Sequence, residues 1–139
     1  MRESTPAVPD DDEDAGSAAL HIRAVERATA PHYAWGDGCD GWRLVDGEDL
    51  SVIEERVPPG GREEWHVHDR ARQFFYVLSG RAELRTAAGV AELDAGVGVE
   101  VPPGVAHQFA NVGDSDVVFL VTSTPTTRGD RRDCTASGG

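Results

Sequence analysis

The chain has no lysine. All 13 of its basic residues are arginine, and they face 25 acids, for a net charge of -12. A surface so short of positive charge repels nucleic acid phosphates and anionic lipid headgroups, which argues against both as partners. Two readings of the acidity stand side by side: adaptation to a salty interior, or codon usage that favours arginine. Cysteine is scarce as well. Cys39 and Cys134 are too few and too far apart for a disulfide framework or a thiolate zinc clamp, so both are expected as free thiols. No apolar run approaches the roughly 20 residues of a membrane-spanning helix. The N-terminus, MRESTPAVPDDDEDAG, has no apolar core of the kind a secretory signal carries, so the expected location is the cytoplasm. Long amphipathic helical patterns are also missing, which excludes a helical bundle and a helix-turn-helix DNA reader.

What the chain does have is glycine and proline, 16 and 8 residues, placed between short valine-rich runs. That pattern predicts many short strands joined by tight turns, an all-β fold. A length of 139 residues suits one domain. Residues 1–19 hold six acids and one arginine and nothing apolar enough to offset ordering, so they are expected to be a disordered acidic tail. Residues 20–124 form the expected domain, and residues 125–139, polar and glycine-rich, a flexible C-terminal tail.

Within the domain, residues 20–26 read equally as strand or short helix. Gly36-x-Gly38-x-x-Gly41 matches the dinucleotide fingerprint as a string. It lacks the preceding strand and following helix that the fingerprint requires, and Asp37 and Asp40 would repel a pyrophosphate. A turn between two aromatic-bearing strands explains it better, with Trp35 and Trp42 covering the core. Residues 50–57 read as a strand stopped by Pro58-Pro59-Gly60-Gly61. Residues 63–69 read as the next strand, and residues 73–79 as one apolar on both faces, as in a sandwiched sheet. Residues 81–86 and 89–94 alternate cleanly and form a hairpin. Strands over 97–101, 105–111 and 116–123 complete the set.

The chemistry gathers around His66 and His68. On a strand, residues two apart share a face, so the two imidazoles begin a metal site. Glu64 shares that face, as a general acid or base in the interior or as a rim carboxylate. Phe75, Phe109 and Phe119 line a pocket if the inward strands keep phase, and otherwise are plain core. His21 and His32 are read as ordinary polar residues.

Two spaced motifs carry a resemblance. The first is Gly60-x5-His66-x-His68-x4-Gln73-x6-Gly80, and the second is Gly96-x5-Pro102-x-Gly104-x2-His107-x3-Asn111. Together they resemble the cupin superfamily position by position, except that Gln73 stands where most members carry glutamate. The resemblance implies an antiparallel β-barrel of jelly-roll type. It also implies a divalent transition metal (Fe, Zn, Ni or Mn) held by His66, His68, Gln73 and His107. The implied activity is that of a small metalloenzyme of dioxygenase, isomerase, cyclase or lyase type, acting on a small organic molecule in the lumen. A non-catalytic small-molecule binding or sensing module is the alternative. Cupins of this size often pair, so a homodimer is expected. Gln73 has two readings, as a direct ligand or as a partner holding a histidine.

Overall fold

The computed structural model describes residues 22–135, so the acidic tail expected over 1–19 lies outside the described residues. The strands are β1 (His32–Trp35), β2 (Cys39–Asp46), β3 (Ser51–Val57), β4 (His66–Val67), β5 (Arg72–Ser79) and β6 (Arg81–Thr86). They continue with β7 (Gly89–Asp94), β8 (Gly98–Val101), β9 (Gln108–Asn111), β10 (Val117–Thr124) and β11 (Arg132–Asp133). Among the described residues there is no α-helix; residues 22–26 of the ambiguous stretch are neither strand nor helix, and a single 3-10 turn, Arg27–Thr29, lies between them and β1. No helix among the described residues is long and apolar enough to cross a membrane.

All strand pairs are antiparallel. A six-stranded sheet runs β1-β2-β3-β10-β5-β8, a three-stranded sheet β9-β6-β7, and β11 pairs with β4. The two larger sheets share one core. Val57, Phe75, Val77, Val117 and Phe119 come from the first, and Leu84, Leu93 and Phe109 from the second. The expected all-β class is observed, but the sheets do not join into one closed ring of hydrogen bonds. The Gly36–Gly38 segment is the turn of the β1–β2 hairpin, as the sequence predicts. Cys39 and Cys134 are both free thiols.

Alternation explains β5 and β10, which lie side by side. β5 buries Gln73, Phe75 and Val77 and exposes Phe74, Tyr76 and Leu78. The face expected to be sandwiched is therefore open on one side. β10 buries Val117, Phe119, Val121 and Ser123. The rings of Phe109 and Phe119 stack at 3.9 Å between centroids, with Phe75 against both. Burying each of these rings contributes about 2 kcal/mol. They form the floor on which the histidines rest.

Two stretches depart from expectation, and both shape the site. Residues 63–69 are not a continuous strand; only β4 pairs, so simple parity fails around it. Residues 125–135 are not a loose tail. Asp130 is 4% exposed. Its carboxylate accepts the backbone N–H groups of Asp69, Arg70 and Ala71 at 2.8–3.2 Å. β11 then pairs with β4, and the Cys134 N–H reaches the Trp65 carbonyl at 2.9 Å. The segment is held by polar groups satisfying a turn that has no strand partner, so it carries no apolar signal to read.

Gly80 closes the β5–β6 turn at φ +88°, and a Cβ there would sit 2.5 Å from the Asp116 carbonyl oxygen. Gly60, at φ +81°, has nothing within 4 Å. Gly80→Ala is expected to lower stability by about 3 kcal/mol, and Gly60→Ala by about 1 kcal/mol, since only the first adds a backbone clash to the conformational strain. Denaturant unfolding of the two variants measures the difference.

Candidate metal centre

β4 and the approach to β9 bring the histidines together. His66 and His107 exchange backbone hydrogen bonds, at 3.1 Å and 2.9 Å, as an isolated antiparallel bridge. His68 follows two residues after His66. All three rings are buried, at 2%, 5% and 1% exposure for His66, His68 and His107. Each offers one nitrogen, and these nitrogens lie within 4.8 Å of one another.

The orientation of each ring is fixed from behind. His66 Nδ1 lies 2.7 Å from the Glu64 carbonyl oxygen, His68 Nδ1 2.6 Å from that of Asp130, and His107 Nδ1 2.8 Å from that of Val105. A carbonyl only accepts, so every Nδ1 carries the proton and every Nε2 keeps its lone pair. Burial pushes the His66 pKa down to about 3 and that of His107 down to about 4, and it lowers His68 as well. At neutral pH all three rings are in the neutral form that binds metals.

Gln73 projects from β5 beside them, 6% exposed. Its Nε2 donates to Ser123 Oγ at 3.1 Å. Two buried side-chain atoms among the described residues have no hydrogen-bond partner: Gln73 Oε1 and His107 Nε2. Buried polar atoms are normally satisfied. Three imidazole nitrogens and one amide oxygen fit a divalent transition ion, which would satisfy both.

The other sequence candidates need correction. Glu64 is exposed and lines the cavity, and its backbone carbonyl accepts from His66 Nδ1. Because residues 63–65 are not in a strand, it is Glu63 that turns inward. Its side chain is 12% exposed, with Oε1 accepting the Phe109 N–H at 3.1 Å and lying 4.0 Å from His66 Nε2. Phe75, Phe109 and Phe119 do not line the cavity. They are core residues exposed by 1% or less, and Phe75 packs edge-on against the His107 ring at 5.8 Å.

A cavity of about 440 Å³ opens over His66, His68 and Gln73. Its wall includes groups the sequence reading missed. The Tyr33 hydroxyl donates to Glu55 Oε2 at 2.8 Å, and the Arg43 guanidinium lies 4.5 Å from the centre of the Tyr33 ring. Arg62 and Arg131 also line it. Burial raises the Glu55 pKa to about 7. Burial, and then the Glu55 charge, raises that of Glu63 to about 8. Tyr33 is shifted upward too, by burial first and then by Glu55. Parity could have found Glu55, which shares a face of β3 with the buried Ser51 and Val57.

The comparisons with known proteins agree with this geometry. The cupin-domain family model matches residues 53–123, and the chain belongs to that family. A relative in Streptomyces cyaneus, the polyketide synthase protein CurC, is 33% identical over 67 residues, which is 48% of this chain and 44% of CurC. An uncharacterized protein of Methanocaldococcus jannaschii is 28% identical over 82 residues, 59% of this chain and 66% of that protein. The aligned part thus spans less than two thirds of either relative. Among solved structures, the polyketide cyclase RemF of Streptomyces resistomycificus is similar in fold. Its TM-score is 0.70 at 21% identity, over 84% of this chain and 88% of RemF.

The shifted groups set a pH dependence for the metal-free protein. The glutamates lose their protons near 4.3 when unfolded but hold them to about 7 and about 8 when folded, so their contribution to stability is lost as pH rises through that window. The histidines act oppositely. Their neutral form is favoured by the fold, and stability is lost as pH falls from about 6.5 toward their lowered values. Below about 6.5 the two trends oppose each other; above it only the glutamates act. Metal-free stability is expected to fall between about pH 6.5 and 8.5, and the Glu55→Gln/Glu63→Gln double variant to flatten that fall. Denaturant unfolding across this range checks it.

Proposed function

We propose that this cupin binds a divalent transition metal at His66, His68, His107 and Gln73, and is a small metalloenzyme acting on a small organic molecule in the cavity. The observation that carries the reading is the set of three Nδ1–H groups tied to backbone carbonyls, with Gln73 Oε1 and His107 Nε2 left without partners. A bound Fe, Zn, Ni or Mn ion supplies Lewis acidity, and Fe also supplies redox chemistry with dioxygen. The cavity volume, about 440 Å³, suits a small molecule.

The surrounding residues favour proton-transfer chemistry of cyclase, isomerase or lyase type. Glu55 holds a proton at a carboxyl oxygen near neutral pH, and Tyr33 holds one at its phenol, hydrogen-bonded to each other at the cavity wall. A carboxyl with a pKa near the working pH is suited to general acid–base work. Arg43, Arg62 and Arg131 line the same cavity and favour a substrate bearing a carboxylate or phosphate. The name of CurC, a polyketide synthase, supports a polyketide-like molecule as the substrate. The second reading is a non-catalytic binding module, favoured by the neutral Gln73 where most cupins carry glutamate.

Protein purified without chelator is expected to carry close to one divalent ion per chain, by elemental analysis. His66→Ala and His107→Ala should each lose most of it. Unchanged metal content in both variants would sink the proposal. The metal-loaded protein is expected to turn over a member of a panel of small enolisable carbonyl compounds, and Glu55→Gln to slow that turnover about a hundredfold, within the usual contribution of general acid–base catalysis. Tight binding without turnover would favour the binding module.

A further inference from the structure

We infer that Glu63 supplies, from beside the histidine cluster, the negative charge that position 73 does not, and so sets how tightly the metal is held. The inference rests on the proposed metal site and concerns a residue outside the four-ligand motif.

Three features of Glu63 point the same way. Its side chain is 12% exposed, yet among the described residues no arginine forms an ion pair with it. A buried carboxylate without a cation is costly, and such groups are normally paired or metal-associated. The one hydrogen bond to its carboxylate among the described residues, from the Phe109 N–H at 3.1 Å, fixes Oε1 in place rather than neutralising it. Oε1 lies 4.0 Å from His66 Nε2, the atom proposed to ligate. A metal sits about 2.1 Å from an imidazole nitrogen, so geometry alone puts any ion on His66 between about 2 and 6 Å from this oxygen.

The charge balance of the ligand set supplies the complementary half. Three neutral imidazoles and an amide leave the ion its full double charge. A nearby carboxylate offsets part of it at low local dielectric. A cation at this site would also reverse the cost of ionising Glu63 in the interior. Glu55 hydrogen-bonds the Tyr33 hydroxyl instead, and among the described residues only Glu63 places a carboxylate oxygen within 4.0 Å of a ring nitrogen of His66, His68 or His107. Gln73 and Glu63 thus form an exchanged pair: the amide stands at the motif's ligand position and the carboxylate stands beside His66.

The test is zinc(II) affinity of the full chain at one fixed pH, by competition with a chromophoric chelator, with turnover playing no part. Glu63→Gln keeps an oxygen for the Phe109 N–H and removes the carboxyl that can ionise beside a bound cation. It is expected to weaken zinc binding about 10–100-fold, the usual effect of losing a group that supports a ligand shell. Its metal-free unfolding midpoint should be no lower than that of the parent. Adding Gln73→Glu to Glu63→Gln is expected to restore most of the affinity, which a merely structural role for Glu63 would not produce. Equal zinc affinity in Glu63→Gln and the parent overturns the inference, as does failure of Gln73→Glu to rescue. If Glu63→Gln does not fold, Glu63→Asp draws the carboxylate back by one methylene and is expected to lose affinity to a smaller degree; parent-like affinity there overturns it. A parent protein that takes up no zinc, iron, nickel or manganese removes the metal site itself, and that outcome is distinct from a parent that binds while Glu63→Gln binds equally well.

Discussion

Three hydrogen bonds from imidazole Nδ1 to backbone carbonyls govern what the site can do. Each is worth only about 1 kcal/mol to stability, but together they decide which nitrogen of each ring is protonated. The acceptors come from three separate parts of the chain: Glu64 ahead of β4, Val105 ahead of β9, and Asp130 in the C-terminal segment. The ring orientations therefore report on the whole fold. Asp130 is the clearest case, since its carboxylate ties down the 69–71 turn while its carbonyl aims His68. Burial pushes a carboxyl's pKa upward, yet the three N–H bonds prevail and hold Asp130 below the usual carboxylate range. At neutral pH the anchor is ionised while the histidines are neutral.

Charge divides the interior into two zones. The ligand cluster is neutral in its protein groups, while the cavity wall carries Glu55 and Glu63, both raised toward neutrality by burial. Arginines line the same cavity. Arg43, Arg62 and Arg131 are gathered there in a chain whose net charge is -12. Phe75 carries the aromatic core up to the His107 ring, and burial holds the histidine pKa values down.

Much of this was legible in the sequence because strand alternation and turn chemistry are local. The β6–β7 hairpin appears at the residues that alternate, 81–86 and 89–94. The convergence of His66, His68 and His107 was readable because motif spacing encodes which positions come together. The failures have physical causes too. Glu64 was chosen over Glu63 by applying period-two parity to a stretch where only His66–Val67 is paired. Asp130 was missed because its role depends on satisfying a turn about sixty residues away, and a polar segment gives no hydrophobic pattern. Phe75, Phe109 and Phe119 sit on the inward faces as read, but inward means core at their depth rather than cavity. The openness of Phe74, Tyr76 and Leu78 escaped because apolar side chains on both faces suggest a covering layer absent among the described residues.

The central claim is that three neutral imidazoles, each presenting Nε2, and one amide oxygen share a single ion. X-ray absorption spectroscopy of the zinc-loaded protein counts these ligands directly. The expected spectrum shows three imidazole shells with nitrogen near about 2.0–2.1 Å and at least one oxygen at a similar distance. The His68→Ala variant should show one imidazole fewer. A spectrum with at most one imidazole, or with sulfur in the first shell, would contradict the claim.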